Sequence, residues 1–454
     1  MRSARAASIL HGSARLTRPA IGVGMIGCGT VGSGVAQLLH YQADLYGRRL
    51  GREIELRRVL VRDPAKPRPD EVDRSLVSND PDAFFATADM PIVIEVAGGR
   101  GDVSRHVRRA LSVGKHVVTA NKSMLAGEGA ELFTLAREHG AAIAFEASCG
   151  GGIPIITALQ FGLMANRIDA LVGILNGTCN YILTEMTRCG KTYGEALAEA
   201  QEKGYAEADP ALDVSGQDAA EKLAILGSLA FGMQAAVDKV SCEGIDSLDL
   251  ADIRFGAELG YDIKLLAIAE RCRERAPAIS LRVQPCFVHE DLLLAQVHGP
   301  FNALSIYGHA TGHTMYYGRG AGQLPTASAV VSDLLNVAGG WYARAFGEMN
   351  LWCDGHDPAV VLDPDELDGR FYLRISAMDV PGVVGRVSTV LGNAGISMGA
   401  VLQHEIAVGQ FVPLVIVTHT ASQGAVRRAL SEIKALDVIE GSPVCIPILD
   451  LPEG

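Results

Sequence analysis

Several things are scarce in this chain of 454 residues, and each scarcity excludes something. Basic residues are outnumbered, 40 Lys and Arg against 52 Asp and Glu, giving a formal net charge of −12. No basic cluster with interleaved aromatics offsets that balance, which argues against nucleic acid as a partner. The nine cysteines are an odd, scattered set with no C-x-x-C pair. Such usage excludes a disulfide framework or thiolate zinc site and fits reduced thiols in the cytoplasm. Long hydrophobic runs are missing as well. Residues 19–43 are uncharged over the length of a membrane span, but their Gly-x-Gly spacing belongs to a nucleotide loop. No membrane association, internal repeat or low-complexity tract is read. Residues 1–20 hold four Arg, three Ser and no acid, yet lack an apolar h-region, so they are no secretory signal. They read as a disordered N-terminal extension in preference to a transit peptide, which the same composition also suits.

What is present is an ordinary globular balance, 48% hydrophobic and 20% charged, on a chain long enough for roughly two to four domains. An apolar strand, Ile21–Ile26, runs straight into Gly27-Cys28-Gly29-Thr30-Val31-Gly32 and then into a helix carrying Val35, Leu38 and Leu39. This is G-x-G-x-x-G in the strand–turn–helix context that gives the pattern meaning. Gly27 allows the tight turn, Gly29 lets the backbone approach a pyrophosphate, and Gly32 lets helix and strand pack. Thr30 and Val31 open the helix, whose free N–H groups and dipole favour the anion.

A second strand, 55–61, ends in Arg62-Asp63-Pro64-Ala65-Lys66. An acid there would accept from the ribose 2′-OH of NAD, whereas a basic residue suits the 2′-phosphate of NADP. Arg62 and Lys66 tilt the reading to NADP, and Asp63 keeps NAD open. Strands at 91–95, 116–119 and 141–145, with a helix over 102–113, complete a parallel sheet. Glu95 to Gly99, and Thr119 to Lys122, end strands at the edge where ligands of such sheets sit.

Residues 200–222 gather Glu207, Asp209, Asp213, Asp218 and Lys222 among small and polar types. Ser215 with Asp218 three residues on resembles a capping box, so a helix is expected from about Gly216. Asp218 and Lys222 then share one face. A lysine set among carboxylates can handle protons, because neighbouring charges fix its protonation and orientation.

This stretch resembles the homoserine dehydrogenase signature. Ala200, Gly204-Tyr205-Ala206, Asp209-Pro210, Asp213-Val214, Gly216, Asp218 and Lys222 fill every position of the pattern, over 23 residues. The resemblance implies an NAD(P)-dependent oxidoreductase that interconverts L-aspartate 4-semialdehyde and L-homoserine in threonine, methionine and isoleucine biosynthesis. It places Lys122 against nicotinamide and substrate, and Asn176, Gly177 and Thr178 in a substrate loop following a strand at 171–175. Helices are expected over 181–188 and 193–202. Tyr205 and Glu207 would hold the substrate's amino and hydroxyl groups. A sodium ion would be bound by the Glu146 side chain and main-chain oxygens of Cys149, Gly151 and Ile153. The run Gly318-Arg319-Gly320-Ala321-Gly322, before a helix at 327–336, is similar to the family's second nucleotide loop, with Gly320 and Gly322 near the cofactor. Lys222 is the expected proton donor, held by Asp218 and oriented with Asp213, while Lys122 stabilises the oxyanion or relays the proton. Which lysine donates stays open.

The C-terminal pattern β-α-β-β-α-β, with Asp379-Val380-Pro381-Gly382 before its first helix, resembles an ACT domain. That implies an amino-acid effector, threonine by family habit, and pairing into a homodimer or homotetramer. No kinase-like region precedes residue 21, which implies a monofunctional enzyme. The expected class is α/β: a Rossmann-type dinucleotide-binding domain (21–150), an α+β catalytic and dimerisation domain with a mixed sheet (151–317), and a return segment (318–346). A linker (347–368) and a ferredoxin-like ACT domain (369–454) follow. Two other functions remain conceivable on this scaffold, a dehydrogenase for another aldehyde or imine and a silent sensor of dinucleotide and amino acid. The lysine–carboxylate set argues against both.

Overall fold

The strand β1 (Ile21–Ile26) is buried at all six residues, as a central strand covered on both faces requires. In this computed structural model, which describes residues 18–272, 275, 277–355, 357–404 and 409–451, it anchors a 6-stranded parallel sheet. The other strands are β2 (Ile54–Leu60), β3 (Val77–Ser78), β4 (Ile92–Glu95), β5 (His116–Thr119) and β6 (Ile143–Ala144). Their order is β3-β2-β1-β4-β5-β6, the doubly wound arrangement whose ligand crevice lies beyond the strands' carboxyl ends. Helices α1 (Thr30–Tyr41), α2 (Asp102–Ser112) and α3 (Lys122–Glu138) cover it.

The catalytic domain is built on β7 (Ile168–Ile174), followed by α4 (Gly177–Cys189), α5 (Tyr193–Glu202), α6 (Gln217–Phe231) and α7 (Leu250–Glu258). Strands β8 (Tyr261–Arg271), β9 (Ile279–His289), β10 (Asn302–Gly308) and β11 (Gly312–Gly318) complete its sheet. The next helix, α8 (Gln323–Ala338), returns to the first domain, where Gly34 of α1 leaves space for it. A Cβ on Gly34 would lie 2.8 Å from the Gln323 carbonyl oxygen.

The C-terminal module runs β12 (Asp368–Met378), α9 (Val383–Asn393), β13 (Met398–Leu402), β14 (Phe411–Thr418), α10 (Gln423–Lys434) and β15 (Ile439–Ile448). It has its own core, with Leu373, Ile375, Val387, Leu391, Leu414 and Ile433 fully enclosed. Its sheet joins the catalytic one through a parallel contact of β9 with β15. The result is an 11-stranded mixed sheet whose main path is β11-β10-β7-β8-β9-β15-β12-β14-β13. A buried ion pair locks the junction: Asp252 of α7, 1% exposed, accepts from Arg374 Nε (2.6 Å), Arg374 Nη2 (2.8 Å) and the Tyr372 hydroxyl (3.0 Å). Trp352 is fully buried against Tyr342, Phe346 and Arg137, and bridges from Gln234 to Pro358 and Ile279 to Val361 fasten the following segment to the catalytic domain. No helix among the described residues is long and apolar enough to cross a membrane.

Several boundaries differ from the sequence expectation, each for a local reason. Helix α4 starts at Gly177, not near 181, because the Asn176 side chain caps it by accepting from the Cys179 N–H at 2.8 Å. Helix α8 starts at Gln323, before Pro325, which sits in the first turn where no intrahelical N–H bond is lost. Helix α6 begins where expected, but without a capping box. The Ser215 hydroxyl donates to Leu212 O, Asp218 faces two lysines, and the turn is made by Gly216 at φ +83°.

Candidate active site

The glycine-rich turn forms one wall of a cavity of about 650 Å³, lined by Gly27, Cys28 and Gly29, by Val96 and Ala97, and by the loop after β2. Gly27 adopts φ +93°, and a Cβ there would lie 2.6 Å from the Ala97 backbone. A Cβ on Gly29 would meet nothing within 4 Å, so the space in front of α1 is left to a ligand. A Cβ on Gly32 would lie 2.7 Å from the Gly27 carbonyl oxygen, which closes the turn against the helix. Thr30 and Val31 begin α1 behind this turn. Arg62, Asp63 and Lys66 all line the cavity. The Asp63 carboxylate accepts from its own loop, the Ala65 N–H at 2.9 Å. Arg68, unforeseen from sequence, braces that loop by donating to the carbonyls of Asp63 (2.8 Å) and Lys66 (2.6 Å).

The second centre lies where α3, α4 and α6 begin. Lys222 Nζ donates to Asp218 Oδ2 at 2.6 Å and to the Leu175 carbonyl at 2.9 Å. Lys122 Nζ approaches the other oxygen of Asp218 at 3.2 Å. Asn176 Nδ2 bridges Asp218 Oδ2 (2.9 Å) and Asp213 Oδ1 (2.8 Å). Burial, the largest influence on Asp218, pushes its carboxyl up, but Lys222 and Lys122 outweigh it and hold it down at about 2. Burial lowers Lys122 and the Asp218 carboxylate raises it further, so its ammonium is favoured on balance. Ser123 Oγ donates to Glu221 Oε2 at 2.7 Å, a further tie between α3 and α6. The cluster thus spans the nucleotide and catalytic domains.

Around it, Thr178 Oγ1 donates to the Tyr205 carbonyl at 2.7 Å, and Tyr205 packs its ring on Tyr181. Gly177 lies under the Pro300 carbonyl. Tyr205 and Glu207 are exposed on the loop that follows α5, and no hydrogen bond or ion pair joins the Glu207 carboxylate to the cluster among the described residues. Gly320 and Gly322 do not line the dinucleotide cavity. Gly320 is pressed between Gly151 and the buried Asn302, whose Nδ2 donates to the same Leu175 carbonyl as Lys222, at 2.9 Å. Thr119 spends its hydroxyl on Glu95 at 2.6 Å.

Glu146, at the crossing between domains, accepts from Ile156 N and Thr157 N at 2.8 Å and from Thr157 Oγ1 at 2.6 Å. Its own N–H donates to Asp333 Oδ2 at 2.7 Å. Burial raises both carboxyls, and no cationic side chain pairs with either among the described residues. Cys149 is fully buried, its thiol pushed up to about 12 by burial, so its carbonyl and not its sulfur suits a hard cation. Sequence reading missed Arg68, Asn302 and the structural part of Glu95. Glu95 did carry a signal, a carboxylate closing a strand otherwise made of Ile and Val.

The chain is similar to known proteins over most of its length. Family models for homoserine dehydrogenase match residues 154–335, for the homoserine dehydrogenase NAD binding domain residues 27–146, and for the ACT domain residues 371–438. A homoserine dehydrogenase from Synechocystis is 41% identical over 435 residues, covering 94% of this chain and 99% of the relative. One from Bacillus subtilis is 38% identical, covering 93% and 96%. The crystal structure of a homoserine dehydrogenase from Thiobacillus denitrificans superposes with a TM-score of 0.87 at 39% identity, covering 95% of this chain and 99% of that one. A hyperthermophilic archaeal homoserine dehydrogenase in complex with NADPH aligns at 26% identity with a TM-score of 0.59, covering 70% of this chain and 97% of its own. With a doubly wound dinucleotide domain, a lysine–carboxylate centre between domains and an ACT module, the chain belongs to the homoserine dehydrogenase family of NAD(P)-dependent oxidoreductases.

Proposed function

We propose that the chain interconverts L-homoserine and L-aspartate 4-semialdehyde in the cytoplasm, on the route to threonine, methionine and isoleucine. The observation that carries this reading is the Asp218 carboxylate set between Lys222 and Lys122 at the junction of the two domains. The dinucleotide, when bound, supplies or accepts the hydride. An ammonium has three N–H donors, and Lys222 commits two of them, to Asp218 and the Leu175 carbonyl. The third is free for the substrate oxygen, so Lys222 gives a proton to the developing alkoxide or, in reverse, takes it from the hydroxyl. Lys122 stabilises the negative oxygen. Asn176 and Asp213 orient Asp218, and Thr178 with Tyr205 and Glu207 receive the amino-acid end of the substrate.

Arg62 and Lys66, both on the wall of the dinucleotide cavity, would hold a 2′-phosphate, so NADP is the favoured cofactor; Asp63 on the same wall accepts from the Ala65 N–H. The structure of the archaeal relative with NADPH is in keeping with this. A sodium ion suits Glu146 with the main-chain oxygens of Cys149, Gly151 and Ile153, because among the described residues no cationic side chain pairs with the buried Glu146 and Asp333. Threonine at the ACT domain, in a homodimer or homotetramer, would provide feedback.

The test follows reduced-nicotinamide absorbance on adding L-homoserine with NADP or NAD, with and without L-threonine. Homoserine-dependent reduction is expected, faster with NADP and slowed by threonine. Lys222→Ala should lower kcat by about 10³-fold while leaving dinucleotide affinity within a few-fold. A folded protein that reduces neither cofactor, or a Lys222→Ala variant of near wild-type turnover, overturns the reading.

A further inference from the structure

Glu95 is a fully buried carboxylate that the chemistry above does not use. It closes β4, and Oε1 accepts from the N–H groups of Ala97 and Gly98, both at 2.9 Å. Oε2 accepts from Thr119 Oγ1 at 2.6 Å, at the end of the neighbouring strand β5. The same Thr119 oxygen accepts from the Asn121 N–H at 3.0 Å. Asn121 is the cap of α3: Oδ1 accepts from the Met124 N–H at 3.1 Å, and Nδ2 donates to the Gly99 carbonyl at 2.6 Å. The bonds close a ring from Glu95 through its loop to Gly99, across to Asn121, and back by Thr119. The residue after Asn121 is Lys122.

Two parts of the site therefore hang on one side chain. Residues 96 and 97 form the cavity wall against the glycine turn, where Ala97 abuts Gly27. Lys122 reaches Asp218 from the first turn of the helix that Asn121 caps. Burying this carboxylate, which no cationic side chain among the described residues pairs with, is costly, and burial raises its pKa. A carboxylate at the tip of a parallel strand, accepting three bonds from its own loop and from the end of the neighbouring strand, is a device for fixing those segments. We infer that Glu95 is a positioning residue for the reaction, setting Lys122 against the nicotinamide side of the site through Thr119 and the Asn121 cap. The inference rests on the reading of Lys122 as a functional lysine.

The variant that cuts this path alone is Thr119→Val. It removes the hydroxyl joining Glu95 to Asn121 while leaving the bonds to Ala97 and Gly98 in place. Glu95→Gln is the second variant. Its amide can keep the bonds to Ala97 and Gly98 only by turning its NH₂ to Thr119, whose own proton then loses its acceptor. Each should lower kcat for homoserine oxidation by about 10- to 100-fold, the effect of a sub-ångström to ångström misplacement of a reacting group, and raise the dinucleotide KM far less. The decisive measurement is a double-mutant cycle with Lys122→Ala. If Glu95 acts through Lys122, either variant costs less than about threefold more once Lys122 is gone. Equal losses in both backgrounds overturn the inference and leave the role of Lys122 standing. Near wild-type turnover of Lys122→Ala alone overturns that role and the inference with it. Should Glu95→Gln fail to fold, Thr119→Val carries the same cycle.

Discussion

Replacing Asp218 by Asn keeps the shape of the side chain and removes the one charge between the two lysines. Asp218 receives Lys222 and Asn176 on Oδ2, at 2.6 and 2.9 Å, and Lys122 on Oδ1, at 3.2 Å. An asparagine has one acceptor oxygen, and the side with two donors claims it. Its NH₂ then meets the Lys122 ammonium, donor against donor, and Lys122 must move. The stability change follows from the depressed carboxyl, held at about 2 instead of its ordinary 3.8. A group whose folded pKa is lowered contributes stability that is complete above its unfolded pKa and lost as pH falls through the folded one. Here the contribution is full above about pH 4 and fades towards pH 2, and at neutrality it is worth about 2 kcal/mol. Breaking a buried pair costs about 3–5 kcal/mol, reduced here because Lys122 is one-third exposed, so a loss of about 2–4 kcal/mol is expected. Urea unfolding of both proteins should show a constant gap from pH 8 to 5 that narrows below about pH 4. Turnover should fall by about 10²- to 10³-fold with dinucleotide affinity little changed. An Asp218→Asn enzyme within about 0.5 kcal/mol and threefold of wild type would refute the shared-carboxylate reading.

Other changes test other parts. Arg62→Ser should raise the KM for NADP about tenfold more than that for NAD, as loss of a charged hydrogen bond to a phosphate predicts, in parallel steady-state assays. Gly320→Ala places a Cβ 2.0 Å from Asn302 Nδ2 and so pushes Asn302 off the Leu175 carbonyl it shares with Lys222. A loss of about 1–3 kcal/mol and a fall in homoserine turnover are expected, read by melting and assay. Arg374→Ala strips Asp252 of its bidentate partner and should cost about 3–5 kcal/mol, seen as a lower melting temperature and a loosened ACT module.

The parts legible in the sequence are those whose cause is local. An all-apolar strand running into Gly27, Gly29 and Gly32 announces its turn because strand, glycines and helix are contiguous. The start of α4 was hidden because Gly177 and Thr178 are poor helix formers, and Asn176 serves as a cap only once the chain has folded. The pattern of Ser215 and Asp218 matched a capping box on paper, yet the lysine ammoniums outbid the backbone for that carboxylate. One of them, Lys122, lies far back in the chain, and no spacing rule brings it there. It was reached by family resemblance. Arg68, Glu95 and Asn302 likewise act through partners that only the packed structure supplies.

Three helix N-termini meet at this site, and that explains why a single carboxylate serves two lysines. Lys122 is the first residue of α3, Asn176 caps α4, and Asp218 lies in the first turn of α6. Each N-terminus carries the positive end of a helix dipole. Asp218 is favoured there by its own helix, whereas the Lys122 ammonium is opposed by its own and is retained only by a counter-charge from across the domain boundary. In the proposed reaction the substrate oxygen meets two ammoniums and three helix starts, partly offset by Asp218, the Asn176-bound Asp213 and Glu221. A neutral hydroxyl would gain little from these donors, and a developing alkoxide much. On the proposed roles of Lys222 and Lys122 the preference is for the charge that appears during reaction, so the arrangement would accelerate the proton step instead of merely holding homoserine.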